Sequence, residues 1–171
     1  MKKMWSPWRS NYIESFKNKS DKDECVFCNA VNENVDDKES LVVYKGKTSF
    51  IMLNLYPYNN GHLMIIPNRH TSDPLDLSDD EIMEIMKLNK LAMKAVKNVM
   101  HPHGFNFGAN IGKAAGAGIH EHIHFHLVPR WQGDTNFMPV LGEVKIISQD
   151  LLETKRNLKS EIDKLITGLH G

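Results

Sequence analysis

The sequence has 171 residues, of which 41% are apolar, and it carries 21 acidic and 21 basic residues. This length predicts one domain with a sizeable core, and the balanced charge argues against a broad basic surface for nucleic acid. No apolar run is long enough to cross a bilayer, and positions 1–20 lack the apolar region of a signal peptide. With only two cysteines, we expect a cytoplasmic protein that binds neither nucleic acid nor membrane.

The first part of the chain contains polar connections and three predicted strands. The segment 5–9, Trp-Ser-Pro-Trp-Arg, is typical of a stretch that packs on a surface, and the charged positions 17–24 predict a flexible linker. Apolar runs bounded by turn residues predict strands over 40–44, 48–53 and 61–67.

Two helices and a fourth strand are predicted further along. Ser78 and Glu81 have the spacing of a capping box, and apolar residues follow at helical spacing up to Met100. A strand is predicted over 104–110, and a second helix over 149–167 has leucines seven residues apart. Because the strands mostly follow one another without helical crossovers, we expect an α+β fold with helices packed on one side of an antiparallel sheet.

The most informative feature of the sequence is a run in which every second residue is a histidine: His120, His122, His124 and His126. A strand sends alternate side chains to opposite faces, so a strand here places the imidazoles on one face and buries Ile123 and Phe125 on the other. In a helix the same spacing would scatter the rings around the axis. Imidazole serves near neutral pH as nucleophile, proton carrier or metal ligand, so we expect the chemistry on this face.

The segment that leads into the histidines, 112–118, consists of glycine and alanine apart from one lysine. Such a loop exposes backbone N–H groups and lets a phosphate approach closely. It lacks the Gly-Lys-Ser/Thr ending of a P-loop. We therefore expect it to bind phosphate, and the alternative is a tight turn that requires small residues.

The histidine run and the segments around it resemble the histidine triad (HIT) superfamily. Positions 122–128 match its signature of three histidines alternating with apolar residues, and 54–62 is similar to its Asn…Gly-His segment. The strand end at 65–70, Ile-Ile-Pro-Asn-Arg-His, fits the same pattern. The flanks 5–9 and 129–137 resemble the bacterial branch that includes diadenosine tetraphosphate phosphorylase.

The resemblance implies a reaction and roles for individual residues. The middle histidine, here His124, would attack an α-phosphorus of a dinucleoside polyphosphate, and water or inorganic phosphate would then release the bound nucleotide. A neutral imidazole can attack only from a fixed tautomer, so its other nitrogen should donate to a backbone carbonyl. His126 would contact the phosphoryl oxygens, and His62 would hold or polarise the triad. The other implied nucleotide-binding residues are Asn54 at the ribose, Asn110 and Gly118 at the phosphates, and Trp131 at the pocket edge.

The two cysteines, Cys25 and Cys28, form a Cys-x-x-Cys pair, which is half of a zinc site. A redox pair is the alternative, although the βαβ context of a thioredoxin-like site is missing. In many HIT proteins the other ligands are the histidine of the Ile-Pro-x-x-His segment and the first triad histidine. Those positions are His70 and His122 here, so the resemblance implies a structural zinc site with two cysteine and two histidine ligands.

The sequence departs from the family pattern just before the triad. Gly118 and Ile119 stand where other branches often have Gln or Ser, so main-chain groups or a substrate phosphate must contact the scissile phosphate. His120 and Glu121 stand where related bacterial sequences tend to have Pro-Asp. We expect His120 to lie at a solvated edge outside the catalytic set.

Three other functions fit the same residues. The fold also supports hydrolysis of adenosine phosphoramidates, same-face histidines can hold a catalytic metal, and a zinc-stapled module can bind nucleotide without turnover.

The resemblance further implies a homodimer and a single domain over 1–171. Within it we expect an N-terminal extension over 1–24, a HIT core over 25–144 and a C-terminal helical extension over 145–171. The C-terminal helix either contributes to the dimer contact or packs on its own domain.

Overall fold

The computed structural model describes residues 25–134 and 150–168. The predicted surface segment 5–9 and linker 17–24 lie outside these residues. The strands are β1 Val42–Lys45, β2 Ser49–Leu53, β3 Leu63–Pro67, β4 Gly104–Gly108 and β5 Phe125–Arg130. The α-helices are α1 Val26–Ala30, α2 Asp79–Met100 and α3 Leu151–Thr167, and Pro74–Asp76 and Lys113–Ala115 form 3₁₀ turns. β1 to β4 and both long helices match the predicted bounds to within two residues, whereas α1 was not predicted.

The five strands form one antiparallel sheet in the order β1-β2-β3-β5-β4. β5 lies between β3 and β4, where His126 pairs with Met64 on one side and with Gly108 on the other. Every residue of β3 is buried, which explains why its sequence is a continuous apolar run rather than an alternating one. The predicted α+β fold with an antiparallel sheet is confirmed.

The two faces of the sheet carry different layers. On one face α2 and α3 pack over the main core, where Leu158 and Ile162 are fully buried. On the opposite face Phe27 of α1 packs in one cluster with Phe50 and Ile66. The prediction that helices pack on one side is confirmed for the long helices, and the short α1 covers part of the other face.

The leucines spaced by seven on α3 face the protein's own core. Leu158 is fully buried and Leu165 packs against the same cluster, and α3 contacts both α2 and β1. The C-terminal helix therefore packs on its own domain, which is one of the two alternatives that the sequence leaves open. Neither α3 nor another helix in the described ranges has the length and apolar content needed to span a bilayer.

α2 begins at the reciprocal cap that the sequence predicts. Ser78 Oγ accepts from the Glu81 N–H at 3.3 Å, and the Glu81 carboxylate accepts from the Ser78 N–H at 2.8 Å. Arg69, which follows β3, donates two hydrogen bonds to the same carboxylate. These Arg69 bonds are the largest of the effects that lower the pKa of Glu81 to about 2. The cap thus ties the helix start to the segment that carries His70.

The strand predicted over the four histidines is wrong in its first half, because ladder pairing begins only at Phe125 and 120–124 lies outside the sheet. The cause is Pro67, which would face Ile123 if the β3–β5 register continued. Proline has no N–H for the ladder, and its carbonyl accepts from the His122 ring at 2.9 Å. The Ile123 N–H donates instead to a carbonyl in the loop after β3, at 2.7 Å.

Replacing Ser78 by Ala is expected to lower the free energy of unfolding by about 1 kcal/mol, because the Glu81 N–H loses its acceptor at the helix start. Chemical denaturation of S78A beside wild type measures this difference. Ser160→Ala, at an exposed serine inside α3, is the control and should change stability by less than about 0.5 kcal/mol. Equal stabilities of S78A and wild type would contradict this role of the cap.

Candidate functional site

The alternation of the histidine run persists although its first half is outside the sheet. The residues that pack into the core on the long-helix face are Ile123, Phe125 and Leu127. His122 and His124 instead lie beside Phe27 of α1, and the rings of His124 and His126 are 4.9 Å apart in an edge-to-face arrangement. His120 is outside this group: its side chain is 36% exposed and lies 3.7 Å from the Glu121 carboxylate.

His124 is held in one tautomer by the backbone next to it. Its Nδ1 lies 2.9 Å from the carbonyl oxygen of His122, and because a carbonyl only accepts, Nδ1 carries the proton. The lone pair of the neutral ring is then on Nε2. Burial lowers the pKa of His124, an effect that the His122 carbonyl offsets in part. At neutral pH the ring is therefore uncharged and presents a nucleophilic nitrogen.

A hydrogen-bond chain fixes the tautomers of two more histidines. The Tyr58 N–H donates to His62 Nδ1 at 2.9 Å, so the neutral His62 ring carries its proton on Nε2. His62 Nε2 lies 3.0 Å from His126 Nδ1, which must accept that proton's hydrogen bond. The proton of the neutral His126 ring is consequently on its other nitrogen, Nε2.

His126 thereby presents a buried N–H donor. Its Nε2 is shielded from solvent and has no hydrogen-bond partner among the described residues. An unpaired buried polar group costs about 1–3 kcal/mol, so such a group calls for an explanation, often a catalytic one. Burial, followed by the charge of His124, lowers the pKa of His126 to about 4. The site thus offers a lone pair on His124 and a neutral N–H donor on His126 in adjacent rings.

A second cluster lies at the start of the histidine run, formed by Cys25, Cys28, His70 and His122, whose ligand atoms are all within 4.8 Å of one another. His122 Nδ1 is 3.3 Å from Cys25 Sγ and 3.7 Å from Cys28 Sγ, and His70 Nδ1 is 3.3 Å from Cys28 Sγ. Zinc bonds of about 2.3 Å to sulfur and 2.0 Å to nitrogen place tetrahedral ligand atoms about 3.5 Å apart. The cluster therefore has the atoms and spacing to hold a metal ion.

The His122 ring is oriented toward this cluster by its second nitrogen. Its Nε2 donates to the Pro67 carbonyl at 2.9 Å, which leaves the Nδ1 lone pair facing the cysteines. The ring is fully buried, and burial lowers its pKa, so it is neutral and can act as a ligand. One residue thus joins the two parts of the site, because the His122 side chain faces the cysteines while its carbonyl holds His124.

Two of the predicted nucleotide-binding residues lie close to the histidines. Asn54 follows β2 directly, and its N–H donates to the carbonyl of His62 at 2.9 Å. Asn110 comes two residues after Gly108, the β4 residue that pairs with His126. Because β4 and β5 are antiparallel, Asn110 lies level with His124, at the end of the sheet where β5 begins.

The other two predicted nucleotide-binding residues are Gly118 and Trp131. Gly118 follows the 3₁₀ turn of the small-residue loop, in which the N–H groups of 115–117 donate to carbonyls of 112 and 113 rather than facing outward. Trp131 lies beyond the far end of β5, five residues from His126. At about 3.3 Å per residue the Cα of Trp131 lies about 17 Å from that of His126, so within one chain Trp131 is remote from His126.

Sequence reasoning missed two residues that shape this site. Tyr58 donates its N–H to His62, and its ring stacks on the His62 ring with centroids 4.9 Å apart. Phe27 packs against His122 and His124 at centroid distances of 5.5 and 4.9 Å. Phe27 stands between the two cysteines, so the metal-site prediction could have placed it near the triad. Nothing in the sequence singles out the Tyr58 N–H.

Comparisons with known proteins agree with this geometry. A sequence model of the HIT domain matches residues 35–133, more than half of the chain. The AP-4-A phosphorylase of Mycobacterium tuberculosis is 43% identical over 164 residues, which cover 94% of this chain and 84% of that protein. The chain therefore belongs to the HIT family.

Two further relatives broaden the comparison. The adenosine 5'-monophosphoramidase of Schizosaccharomyces pombe is 29% identical over 106 residues, covering 62% of this chain and 74% of that protein. The crystal structure of a Zn-bound histidine triad family protein from Mycobacterium smegmatis matches with a TM-score of 0.68 at 26% identity. That match covers 85% of this chain and 97% of the other chain.

Lowering the pH from about 6.5 to 4 is expected to destabilise the protein through His126. The unfolded imidazole takes up a proton near its ordinary pKa of about 6.5, whereas the folded ring has a pKa of about 4. The unfolded state therefore binds more protons than the folded state in this window. The contribution of His126 to the free energy of unfolding is complete above pH 6.5 and is lost as the pH falls toward 4. One such group changes the free energy of unfolding by at most about 1.4 kcal/mol per pH unit.

Denaturation at several pH values between 4 and 7.5 measures this slope for wild type and for His126→Asn. The variant has no imidazole at this position, so its free energy of unfolding should fall less steeply with pH. Identical slopes would show that His126 is not held neutral by the fold.

Proposed function

We propose that this HIT protein cleaves dinucleoside polyphosphates of the diadenosine tetraphosphate type at an α-phosphorus, through a nucleotide bound covalently to His124. The observation that carries this proposal is the 2.9 Å hydrogen bond from His124 Nδ1–H to the His122 carbonyl. It leaves the Nε2 lone pair as the reactive atom of a neutral ring, which is what nucleophilic catalysis by imidazole requires.

In the first step the His124 Nε2 lone pair forms a bond to the α-phosphorus. The bond from phosphorus to the bridging oxygen breaks, and its electron pair leaves with the polyphosphate. Both nitrogens of the ring are now substituted, so the ring carries a positive charge. That charge strengthens the hydrogen bond from Nδ1–H to the His122 carbonyl, because charge-assisted hydrogen bonds are roughly twice as strong as neutral ones.

His126 stabilises the phosphorus centre during this step. Its Nε2–H has no partner among the described residues, and the adjacent ring position suits a donor to a phosphoryl oxygen as charge builds there. His62 keeps His126 in this tautomer through their 3.0 Å contact. We assign these two histidines to charge stabilisation and positioning, and His124 to the covalent chemistry.

In the second step an oxygen of inorganic phosphate or water attacks the same phosphorus, and the electron pair of the P–N bond returns to Nε2. The proton of the attacking group is released to solvent. With phosphate the released nucleotide is ADP, and with water it is AMP. We place phosphorolysis ahead of hydrolysis because the relative that is 43% identical is an AP-4-A phosphorylase. The residues proposed to bind the nucleotide are Asn54, Asn110, Gly118 and Trp131.

We also propose that Cys25, Cys28, His70 and His122 hold one structural zinc ion. Thiolate and imidazole together suit zinc, and the ligand atoms have tetrahedral spacing. The similar M. smegmatis protein is described as Zn-bound. When bound, the ion cross-links α1 to the segments before α2 and β5. Four protein ligands leave no open position, so the metal has no direct part in the reaction.

A second enzyme function is favoured by the relative from S. pombe, an adenosine 5'-monophosphoramidase. The same Nε2 attack at an adenylyl phosphorus would expel an amine in place of a polyphosphate. A catalytic metal on the histidine face is disfavoured, because His122 Nδ1 faces the cysteines and His126 Nδ1 is occupied by His62.

We expect a cytoplasmic homodimer, in which the edge strand β4 with its exposed Phe107 is the proposed contact.

Turnover of diadenosine tetraphosphate is expected to depend on inorganic phosphate. With phosphate the products are ATP and ADP in equal amounts, and without it the slower products are ATP and AMP. His124→Ala should form none of them, whereas His120→Ala, at the exposed histidine outside the group, should retain the wild-type rate. Chromatography of quenched reactions measures each nucleotide.

Two results would contradict the proposal. Production of two ADP molecules without phosphate would mean that a bond in the middle of the polyphosphate is cleaved. Undiminished turnover by the His124→Ala protein would mean that this ring is not the nucleophile. Adenosine phosphoramidate assayed beside diadenosine tetraphosphate decides between the two enzyme functions, and tight nucleotide binding without any turnover would favour the binding module.

Roughly one zinc ion per chain is expected in the purified protein, and Cys28→Ser should lose most of it. The variant should also unfold at a lower temperature, because a bound structural metal stabilises only the folded state. Metal analysis by atomic emission and thermal unfolding measure both effects. His101→Asn is the control, since His101 is exposed at a φ of 49° that Asn tolerates. Metal-free wild type with freely reactive thiols would refute the site.

A further inference from the structure

Asp134 is a carboxylate outside the histidine site whose oxygens are both fully engaged. Its Oδ2 accepts from Arg130 Nε at 2.7 Å, from Asn59 Nδ2 at 2.9 Å and from the Trp131 N–H at 3.1 Å. Its Oδ1 accepts from Arg130 Nη2 at 2.8 Å. The Asp134 side chain is only 9% exposed, and its hydrogen bonds to Arg130 are the main cause that lowers its pKa to about 2. It is therefore a fixed negative charge over the whole working pH range.

The bond to Asn59 connects this carboxylate to the loop between β2 and β3. Asn59 Nδ2 also donates to the Pro129 carbonyl at 3.1 Å, so one amide group joins the loop both to β5 and to the segment that follows it. The Asn59 carbonyl accepts from the His62 N–H at 3.2 Å. Asn59 thus anchors the turn that ends at His62.

The same turn sets the proton position of His62. Tyr58 directly precedes Asn59, and its N–H donates to His62 Nδ1 at 2.9 Å while its ring stacks on the His62 ring. The turn is tightly packed, because Gly61 has a φ of +70° and a Cβ there would lie 2.5 Å from Met100 Sδ. A small shift of Asn59 would therefore move the Tyr58 N–H relative to the imidazole.

We propose that Asp134 is a positioning residue for the reaction: through Asn59 it holds the turn whose Tyr58 N–H keeps His62 Nδ1 an acceptor. His62 then donates from Nε2 to His126, and His126 keeps its own Nε2–H for the phosphoryl group. This inference rests on the proposed function of the histidines. It extends the site by a path of hydrogen bonds that begins beyond the end of β5, leads through Asn59 and Tyr58 to His62 and His126, and includes none of the proposed metal ligands.

A purely structural role predicts a different outcome. As an isolated surface pair, Arg130 and Asp134 would contribute little to stability, because the arginine is 39% exposed. Loss of the pair would then lower stability slightly and leave the tautomers of His62 and His126 unchanged. The positioning role predicts that the tautomers of His62 and His126 change, because the displaced Tyr58 N–H no longer keeps His62 Nδ1 an acceptor.

The test compares Asp134→Ala with Asp163→Ala in the full-length, metal-loaded protein. Asp163 accepts from Lys159 at 2.9 Å with the same four-residue spacing, but it lies on α3 away from the turn. Long-range ¹H–¹⁵N spectra of the imidazoles report the tautomers, and rapid-quench measurements report the rate of adduct formation and the KM for diadenosine tetraphosphate. Asn59→Ala keeps the Arg130–Asp134 pair, so it tests the same path if the first variant folds poorly.

The expected result is that wild type and Asp163→Ala show His62 and His126 as Nε2–H tautomers, whereas Asp134→Ala and Asn59→Ala show mixed tautomers. The rate of adduct formation should fall about 10- to 100-fold, because small misplacement of a catalytic group costs up to about 100-fold. KM should change far less, and the double variant should be no slower than Asp134→Ala.

Unchanged tautomers in Asp134→Ala would overturn the proposal whatever the rate, and so would changed tautomers with a wild-type rate. Failure of the proposed function is a separate result, because wild type itself would then form no adduct. The imidazole spectra do not depend on turnover, so in that case they still show whether Asp134 orients the two histidines.

Discussion

The hydrogen bond from His124 Nδ1–H to the His122 carbonyl is the interaction on which the proposed chemistry of this site depends. Imidazole is a nucleophile only when it is neutral and when the reacting nitrogen is the one without the proton. Burial provides the neutral state, and the carbonyl chooses the nitrogen. Without this acceptor the proton could occupy either nitrogen, and the reactive lone pair would be present only part of the time.

The acceptor is well placed because His122 is fixed by three contacts. Its Nε2 donates to Pro67, its Nδ1 faces the cysteines, and Phe27 packs edge-on against its ring. Residues 120–124 lie outside the sheet ladder, and the Pro67 carbonyl there accepts from the His122 ring. The segment before β5 therefore carries a residue of the cysteine–histidine cluster, His122, and two residues later the proposed nucleophile, His124.

Much of the fold and of the site could be predicted from the sequence because the responsible signals are local. The capping residues at Ser78, the apolar runs of the strands and the alternation of histidines each depend on nearest neighbours. The grouping of His70 and His122 with the two cysteines follows only from the family resemblance, since these histidines are far from the cysteines in sequence. In the structure the ligand atoms of these four residues lie within 4.8 Å of one another, as the resemblance implies.

The features that could not be predicted are those that depend on main-chain atoms or on contacts across the sheet. The late start of β5, at Phe125, reflects a missing N–H on Pro67, a residue on another strand. The proton position of His62 depends on the Tyr58 N–H, and a main-chain donor leaves no trace in residue identity. The anchoring of that turn by Asp134 joins residues 75 positions apart through one amide group. Such contacts join residues that are far apart in sequence, so they can be identified only from the folded structure.

The most direct test of this account is to trap the reaction intermediate. Protein incubated with diadenosine tetraphosphate labelled at the α-phosphates and without inorganic phosphate is quenched in alkali, in which a P–N bond to imidazole survives. Peptide mapping by mass spectrometry then locates the label. We expect an adenylyl group on His124, attached at Nε2, which disappears as ADP forms when phosphate is added before the quench. Label on another side chain, or turnover with no labelled protein at any time, would contradict it.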